Sequence, residues 1–304
     1  MIHGVINVYK EKGFTSHDVV AKLRGITKQK KIGHTGTLDP DACGVLPVCL
    51  GKATKLCDML TDKDKVYETV LLLGKETDTQ DVGGTVLEER DTSSLKEEDV
   101  RSCIDSFVGE YEQVPPMYSA LKVNGKKLYE LAREGKSVER KARSVVIYDL
   151  QILAIELPRV RMRVHCSKGT YIRTLCHDIG EKLGCKGCME ELLRTKVERF
   201  TMEDSHTLAN IETAFQEGSL EQWVVPIDEM FVQFQKISVN PRFQKLLYNG
   251  NHLPKAAAGE TVSCADEEKV RAYDSEGRFA GIYEYHVSDK MFHIVKMFLD
   301  LSNT

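Results

Sequence analysis

No apolar run in the 304 residues approaches the roughly 20 needed to cross a bilayer as a helix, so no membrane span is expected. The opening stretch, MIHGVINVYKEKG, lacks a basic leader followed by an apolar core, so export is not expected either. A paired disulfide framework is missing: the nine cysteines are odd in number and scattered, and read as reduced thiols of a cytoplasmic protein. There is no Gly-x-x-x-x-Gly-Lys-Ser/Thr loop, no Gly-x-Ser-x-Gly elbow and no His-Glu-x-x-His, which removes the commonest nucleotide, esterase and zinc-hydrolase chemistries. Internal repeats and low-complexity segments are absent too. One Cys-x-x-Cys pair, Cys185 and Cys188, follows Cys176 and His177. A structural zinc site shows a second ligand pair at recognisable spacing, and neighbours such as Cys176 and His177 point to different faces of a helix, so no metal is expected. A cofactor-independent reaction on a nucleic acid survives this elimination best.

What is present is ordinary for a globular chain: 41% hydrophobic and 29% charged residues. At about 100–200 residues per domain, the length suggests one to two domains with a core of their own. The net charge of −4 opposes nucleic-acid binding on average, but phosphates respond to local clusters. Residues 19–38 hold Lys22, Arg24, Lys28, Lys30 and Lys31 and no acid. Residues 122–143 hold eight cations against Glu130, Glu134 and Glu139.

The first basic run leads into Gly33–Pro47, GHTGTLDPDACGVLP, around which the chain is organised. It is too irregular for a helix and has the wrong period for a strand, so a structured loop entering an apolar run is expected. Pro40 confines Asp39 to extended backbone and presents its carboxylate at a fixed angle. A glycine-rich turn with a solvated acid is the plain alternative.

Along the chain, Gly4–Tyr9, Val45–Leu50 and Val66–Leu73 read as buried strands. Thr15 and Asp18 resemble a capping box ahead of a helix whose inner face carries Val19, Val20, Leu23 and Ile26. A short helix is expected at Ala53–Leu60. A second capping box at Ser94 and Glu97 predicts a helix running to Val108, ended by Gly109. Asn124-Gly125 marks a hairpin, and a helix at Leu128–Arg133 follows. Two long strands, Ser144–Glu156 and Val160–Cys166, precede a helix at Ile172–Leu183. Strand-like sequence over 186–201, a helix near Leu208–Phe215 and a linker at Pro226–Gln235 come next. The last stretch reads as a small β-rich module, with strands at Ile237–Val239, Thr261–Cys264, Val270–Tyr273, Phe279–Tyr285 and Met291–Met297.

Three further features bear on chemistry. Tyr67 lies in a strand, where tyrosine ordinarily packs with its hydroxyl at an edge. Arg173 falls in the first turn of a helix, against the dipole, which suits a specific anionic partner as well as a solvated side chain. Lys168, Thr170 and Tyr171 stand beside it, placed to hold phosphate or ribose.

Gly33-His34-Thr35-Gly36-Thr37-Leu38-Asp39-Pro40, continued by Gly44-Val45-Leu46-Pro47, resembles the central motif of the TruB family of pseudouridine synthases in its bacterial form. Lys65-Val66-Tyr67, Val114-Pro115-Pro116-Met117-Tyr118-Ser119-Ala120, Ser167 to Arg173 with Asp178-Ile179-Gly180, and Leu192-Leu193-Arg194 extend the likeness over essentially the whole chain. The resemblance implies isomerisation of a tRNA T-loop uridine, at position 55, to pseudouridine. The C1′–N1 bond breaks, the base rotates, and C1′ rejoins at C5, with no cofactor. It implies that Asp39 is the essential carboxylate, attacking C1′ or removing the C2′ proton. Arg173 would pair with Asp39, keeping it ionised and lowering its pKa by about 1–3 units. Tyr67 would stack on the flipped uracil and assist removal of the C5 proton. His34 would fill the space the base vacates, or serve only its loop. Lys10, Tyr171 and Leu192 would shape the pocket, with Thr170 and Lys168 as lesser substrate contacts.

The fold implied is α+β. A catalytic domain over residues 1–235 is built on a central, mainly antiparallel mixed sheet, and a small β-rich PUA-like RNA-binding domain spans residues 236–304. The protein would act on tRNA as a monomer without an obligate protein partner. Three departures from the family pattern stand out: Tyr9-Lys10-Glu11 for Asp-Lys-Pro, Asp41 and Cys43 after the Asp-Pro, and Glu198 for glycine. They put loop rigidity in question, since none touches Asp39, Tyr67 or Arg173. Two other classes remain: an RNA-binding or tRNA-folding module without catalysis, and a zinc or redox enzyme using Cys185 and Cys188.

Overall fold

The structure is a computed structural model that describes residues 1–259 and 262–299. Strand β1 (Gly4–Lys10) leads to helix α1 (Ser16–Thr27). The Thr15–Asp18 capping box starts that helix: Asp18 N donates to Thr15 Oγ1 at 3.1 Å, and Thr15 N donates to Asp18 Oδ2 at 2.8 Å. Strands β2 (Ile32–His34) and β3 (Cys43–Leu50) bracket the Asp39 loop. A 3₁₀ turn (Gly51–Leu56) and α2 (Cys57–Thr61) divide the helix expected at 53–60. Strands β4 (Lys65–Leu73), β5 (Lys75–Thr77) and β6 (Val86–Glu89) follow.

Helix α3 (Glu97–Asp105) begins later and ends earlier than its sequence signals suggest. Its N-cap is Lys96, without a side-chain bond, so the Ser94–Glu97 box does not form. Glu97, Glu98 and Asp99 in the first turn complement the dipole instead. Strand β7 (Gly109–Gln113), missed in the sequence, comes next. The Asn124-Gly125 turn joins β8 (Lys122–Val123) to β9 (Lys126–Lys127), and α4 (Leu128–Arg133) follows. The long strands β10 (Arg143–Glu156) and β11 (Arg159–Cys166) form as expected. Helix α5 (Ile172–Lys182), β12 (Gly187–Val197), β13 (Phe200–Thr201), α6 (Leu208–Gln216) and β14 (Val224–Val225) complete this part.

Ten strands form one sheet, in the order β14-β1-β3-β12-β4-β11-β10-β7 with β2 on β3 and β13 on β12. Every pairing in it is antiparallel except β3 with β12, where Cys43 and Gly44 lie opposite Leu193 and Arg194. The sheet is therefore mixed and mainly antiparallel. Helices α1 and α6 cover β1 and β3, with Ile6, Val8, Leu46 and Val48 packed on Val19, Leu23 and Ile211. Helices α3 and α5 cover β4, β11 and β10, with Leu71, Val164 and Ile147 packed on Ile104, Leu175 and Ile179. Both helical layers lie on one face, because register carries that face across the parallel seam from Gly44 to Arg194 and on to Tyr67. The Asp39 loop sits at the seam.

A second sheet of five strands has the order β15-β17-β18-β19-β16, built from β15 (Gln235–Ser238), β16 (Leu253–Pro254), β17 (Glu268–Tyr273), β18 (Phe279–His286) and β19 (Met291–Met297), with α7 (Gln244–Tyr248) beside it. The strand expected at Thr261–Cys264 does not form over residues 262–264, and Thr261 lies outside the described residues. The stretch expected to be a linker is packed. Ile227, Met230 and Phe231 share a core with Val5, Val45, Phe200, Ile282 and Phe298, which docks the second sheet on the other face of the first. No helix among the described residues is long and apolar enough to cross a membrane.

Candidate active site

The residues before and after Asp39 are tied at the backbone. Ser16, in the first turn of α1, receives the Leu38 N–H on its Oγ at 2.9 Å and donates to Leu38 O at 3.3 Å. Pro40 O accepts from Gly13 N at 2.9 Å and from Lys10 Nζ at 3.1 Å, and Ala42 O accepts from Lys10 Nζ at 2.5 Å. Lys10 is wholly buried, its hydrogen-bond partners among the described residues are carbonyls, and burial lowers its pKa. It clamps the loop from beneath, through Pro40 O and Ala42 O.

Arg173 is the second residue of α5. The helix start is held by Gln113 on β7, whose side chain accepts from Tyr171 N at 2.7 Å and donates to Tyr171 O at 3.0 Å. From there the Arg173 guanidinium grips Asp39 with two prongs, Nε to Oδ2 at 2.9 Å and Nη2 to Oδ1 at 3.3 Å. Its remaining donors reach Thr79 O at 3.0 Å and Tyr118 O at 2.8 Å, and Asp81 Oδ2 stands 3.8 Å from Nη1. Arg173 is buried, whereas the Asp39 side chain keeps 37% of its surface open.

The Asp39 carboxyl titrates above its ordinary value. Burial is the largest cause and the Asp81 charge adds to it, while Arg173 and Lys10 pull the other way. Arg173 acts in the expected sense, pulling the value down, against the upward push of burial. The result is a carboxylate that is oriented, reachable and more basic than a solvated one, which suits attack at carbon or proton removal.

Tyr67 on β4 is buried in the core beside Leu38 and Ala42, and its hydroxyl meets the Arg194 guanidinium. Leu192, two residues earlier on β12, packs half-buried at the edge of the same cluster. His34, at the end of β2, accepts the Gly36 N–H on Nδ1 at 3.3 Å, and the His17 ring meets it edge-on at 6.4 Å. Burial first, then His17 and Arg194, lower the His34 pKa and favour a neutral imidazole. Tyr171 is the N-cap of α5, and Thr170 Oγ1 donates to Ser167 O at 2.9 Å, locking the turn.

Lys168 is not gathered with these groups. It is exposed and paired with Asp62 at 2.9 Å. Cys185 and Cys188 are buried and, among the described residues, belong to no cluster of metal donors. Among the described residues, Glu76, His177 and Glu181 alone bring three donor atoms within 4.8 Å of one another. Lys186 Nζ already answers those carboxylates, at 2.8 Å from Glu76 and 2.7 Å from Glu181.

Ser16, Asp81, Gln113 and Arg194 had no individual role in the reading from sequence. Arg194 carried a signal only as the last residue of the Leu192-Leu193-Arg194 motif. Asp81 and Gln113 carried none, because each matters only through a contact far along the chain.

The chain matches the family model described as "TruB family pseudouridylate synthase (N terminal domain)" over residues 24–172. It matches the model described as "tRNA pseudouridylate synthase B C-terminal domain" over residues 173–232. A protein of Lachnoclostridium phytofermentans named tRNA pseudouridine synthase B is 56% identical, over 98% of this chain and 100% of that one. A protein of the same name from Clostridium perfringens (strain 13 / Type A) is 46% identical over 98% and 100%. A chain in the crystal structure of a Cbf5-Nop10-Gar1 complex superposes with a TM-score of 0.72 at 26% identity, over 98% of this chain and 85% of that one.

Proposed function

The chain belongs to the TruB family of pseudouridylate synthases, which are isomerases, and on that premise we propose that it converts the T-loop uridine at position 55 of tRNA to pseudouridine without a cofactor. The observation that carries the site assignment is the two-pronged Arg173–Asp39 pair in a loop tied by Ser16 and Lys10. Asp39 attacks C1′ or removes the C2′ proton, freeing the base. The uridine leaves its stack to reach it, at a cost of a few kcal/mol. Tyr67 and Leu192 hold the uracil ring, and His34 fills the space left in the RNA. Arg173 keeps the carboxylate aimed throughout. The exposed cations Lys22, Arg24, Lys28, Lys30 and Lys31, which precede the loop in the chain, support the reading, since they offer phosphate contacts. In this reading the protein works alone in the cytoplasm, with residues 1–235 catalytic and residues 236–304 a PUA-like RNA grip.

A mass-based pseudouridine assay on an unmodified tRNA transcript, with wild type and Asp39→Asn side by side and no cofactor added, tests this. Conversion of one T-loop uridine by wild type alone is expected. Tight tRNA binding by both with conversion by neither would instead make the protein an RNA-binding module.

A further inference from the structure

Arg194 heads the largest wholly buried side chains of the molecule. The Tyr67 hydroxyl is the side-chain group that answers its charge, and no carboxylate does so among the described residues. Its Nε donates to Val45 O at 2.7 Å and its Nη2 to Gly36 O at 3.3 Å. Those carbonyls lie on either side of Asp39 in the chain. One side chain therefore joins both ends of the carboxylate loop to the tyrosine.

Its place is set by the backbone. Arg194 lies opposite Tyr67 on one side and Gly44 on the other, and a Cβ at Gly44 would come 2.2 Å from Arg194 O. Burying a guanidinium without an acid is costly, and an apolar side chain of similar length would fill the same space without that cost. What the charge supplies is direction and field: Arg194 opposes the burial-driven rise at Tyr67 and helps lower His34 and Lys65.

We propose that Arg194 is a positioning residue for the isomerisation, acting through the Tyr67 hydroxyl to hold that ring against the carboxylate loop. The inference rests on the function proposed above. Single-turnover pseudouridine formation is measured for wild type, Arg194→Lys, Tyr67→Phe and the double variant, with tRNA Kd and thermal unfolding alongside. Arg194→Lys is expected to slow the reaction roughly tenfold when Tyr67 is present and less than about twofold in Tyr67→Phe, with Kd within about threefold, because residues acting as a unit are non-additive. Equal slowing in both backgrounds, or none in either, overturns the proposal and leaves Arg194 a structural strut. If the lysine variant does not fold, Arg194→Gln, which keeps donors but no charge, runs the same cycle. Conversion by wild type but not by Asp39→Asn keeps the proposed function standing whatever Arg194 does, so the two failures are distinguishable.

Discussion

At Asp39, burial and the Asp81 charge raise the pKa against the pull of Arg173. A raised carboxyl pKa means that Asp39 takes up its proton at a higher pH as the solution is acidified. On the proposed function the ionised form is the reactive one, so the acid limb of the single-turnover pH profile is expected above the ordinary carboxylate value of 3.8. A limb at or below that value would contradict the buried-carboxylate account. Ser16 gives a second prediction at this scale. Ser16→Ala leaves the buried Leu38 N–H without its acceptor, which costs about 1–3 kcal/mol of stability. It also frees the residue before the carboxylate, so a rate loss of about tenfold is expected, since small misplacements of reacting groups are expensive. A folded Ser16→Ala protein with unchanged rate would show that Pro40 alone aims Asp39.

Among the elements, the meeting of β3 with β12 and the polar side of α5 are both sensitive to substitution. At Gly44 the backbone has φ +111°, and a Cβ there would strike the Arg194 backbone, so Gly44→Ala is expected to cost about 2–5 kcal/mol in urea unfolding. Unchanged stability would mean that the seam yields. Behind α5, His177 is held by Asp178 at 2.9 Å and by Glu76 at 3.4 Å, and Asp178 is foremost among the causes that raise its pKa above 6.5. A histidine raised on folding contributes stability that is complete below its unfolded pKa and lost as pH rises through the folded value. His177→Gln should therefore destabilise more at about pH 5.5 than at about pH 9. A larger loss at the alkaline pH would reverse the assignment.

For the molecule as a whole, the two sheets share a core through Phe231, Ile282 and Phe298. Phe298→Ala removes a buried ring from that junction and should cost about 3–5 kcal/mol. The full chain should unfold in one calorimetric transition, and two well-separated transitions in wild type would mean that the sheets are independent. The same junction explains why the 226–235 stretch looked like a connector. Its one proline, Pro226, and its acids Asp228 and Glu229 read as a linker, while its apolar residues had no visible partner until β18 and Phe298 were in place.

Much of the fold was legible because it rests on local rules. The Thr15–Asp18 box, the Asn124-Gly125 turn, the α5 stripe and the β4 and β11 runs each signal through residues a few positions apart. Short edge strands such as β7 and β14 were not legible, since they exist only by pairing with β10 and β1. The Asp39, Tyr67 and Arg173 motifs were likewise in view from sequence, and an arginine set against a helix dipole suited an anionic partner as well as a solvated side chain. What only the tertiary structure decided was the chemistry between them. Lys10 became a loop clamp and Lys168 a surface ion pair, and Ser16, Asp81 and Arg194 entered the site. Local sequence specifies which residues are presented, but burial and charge at a point are sums over everything folded around it.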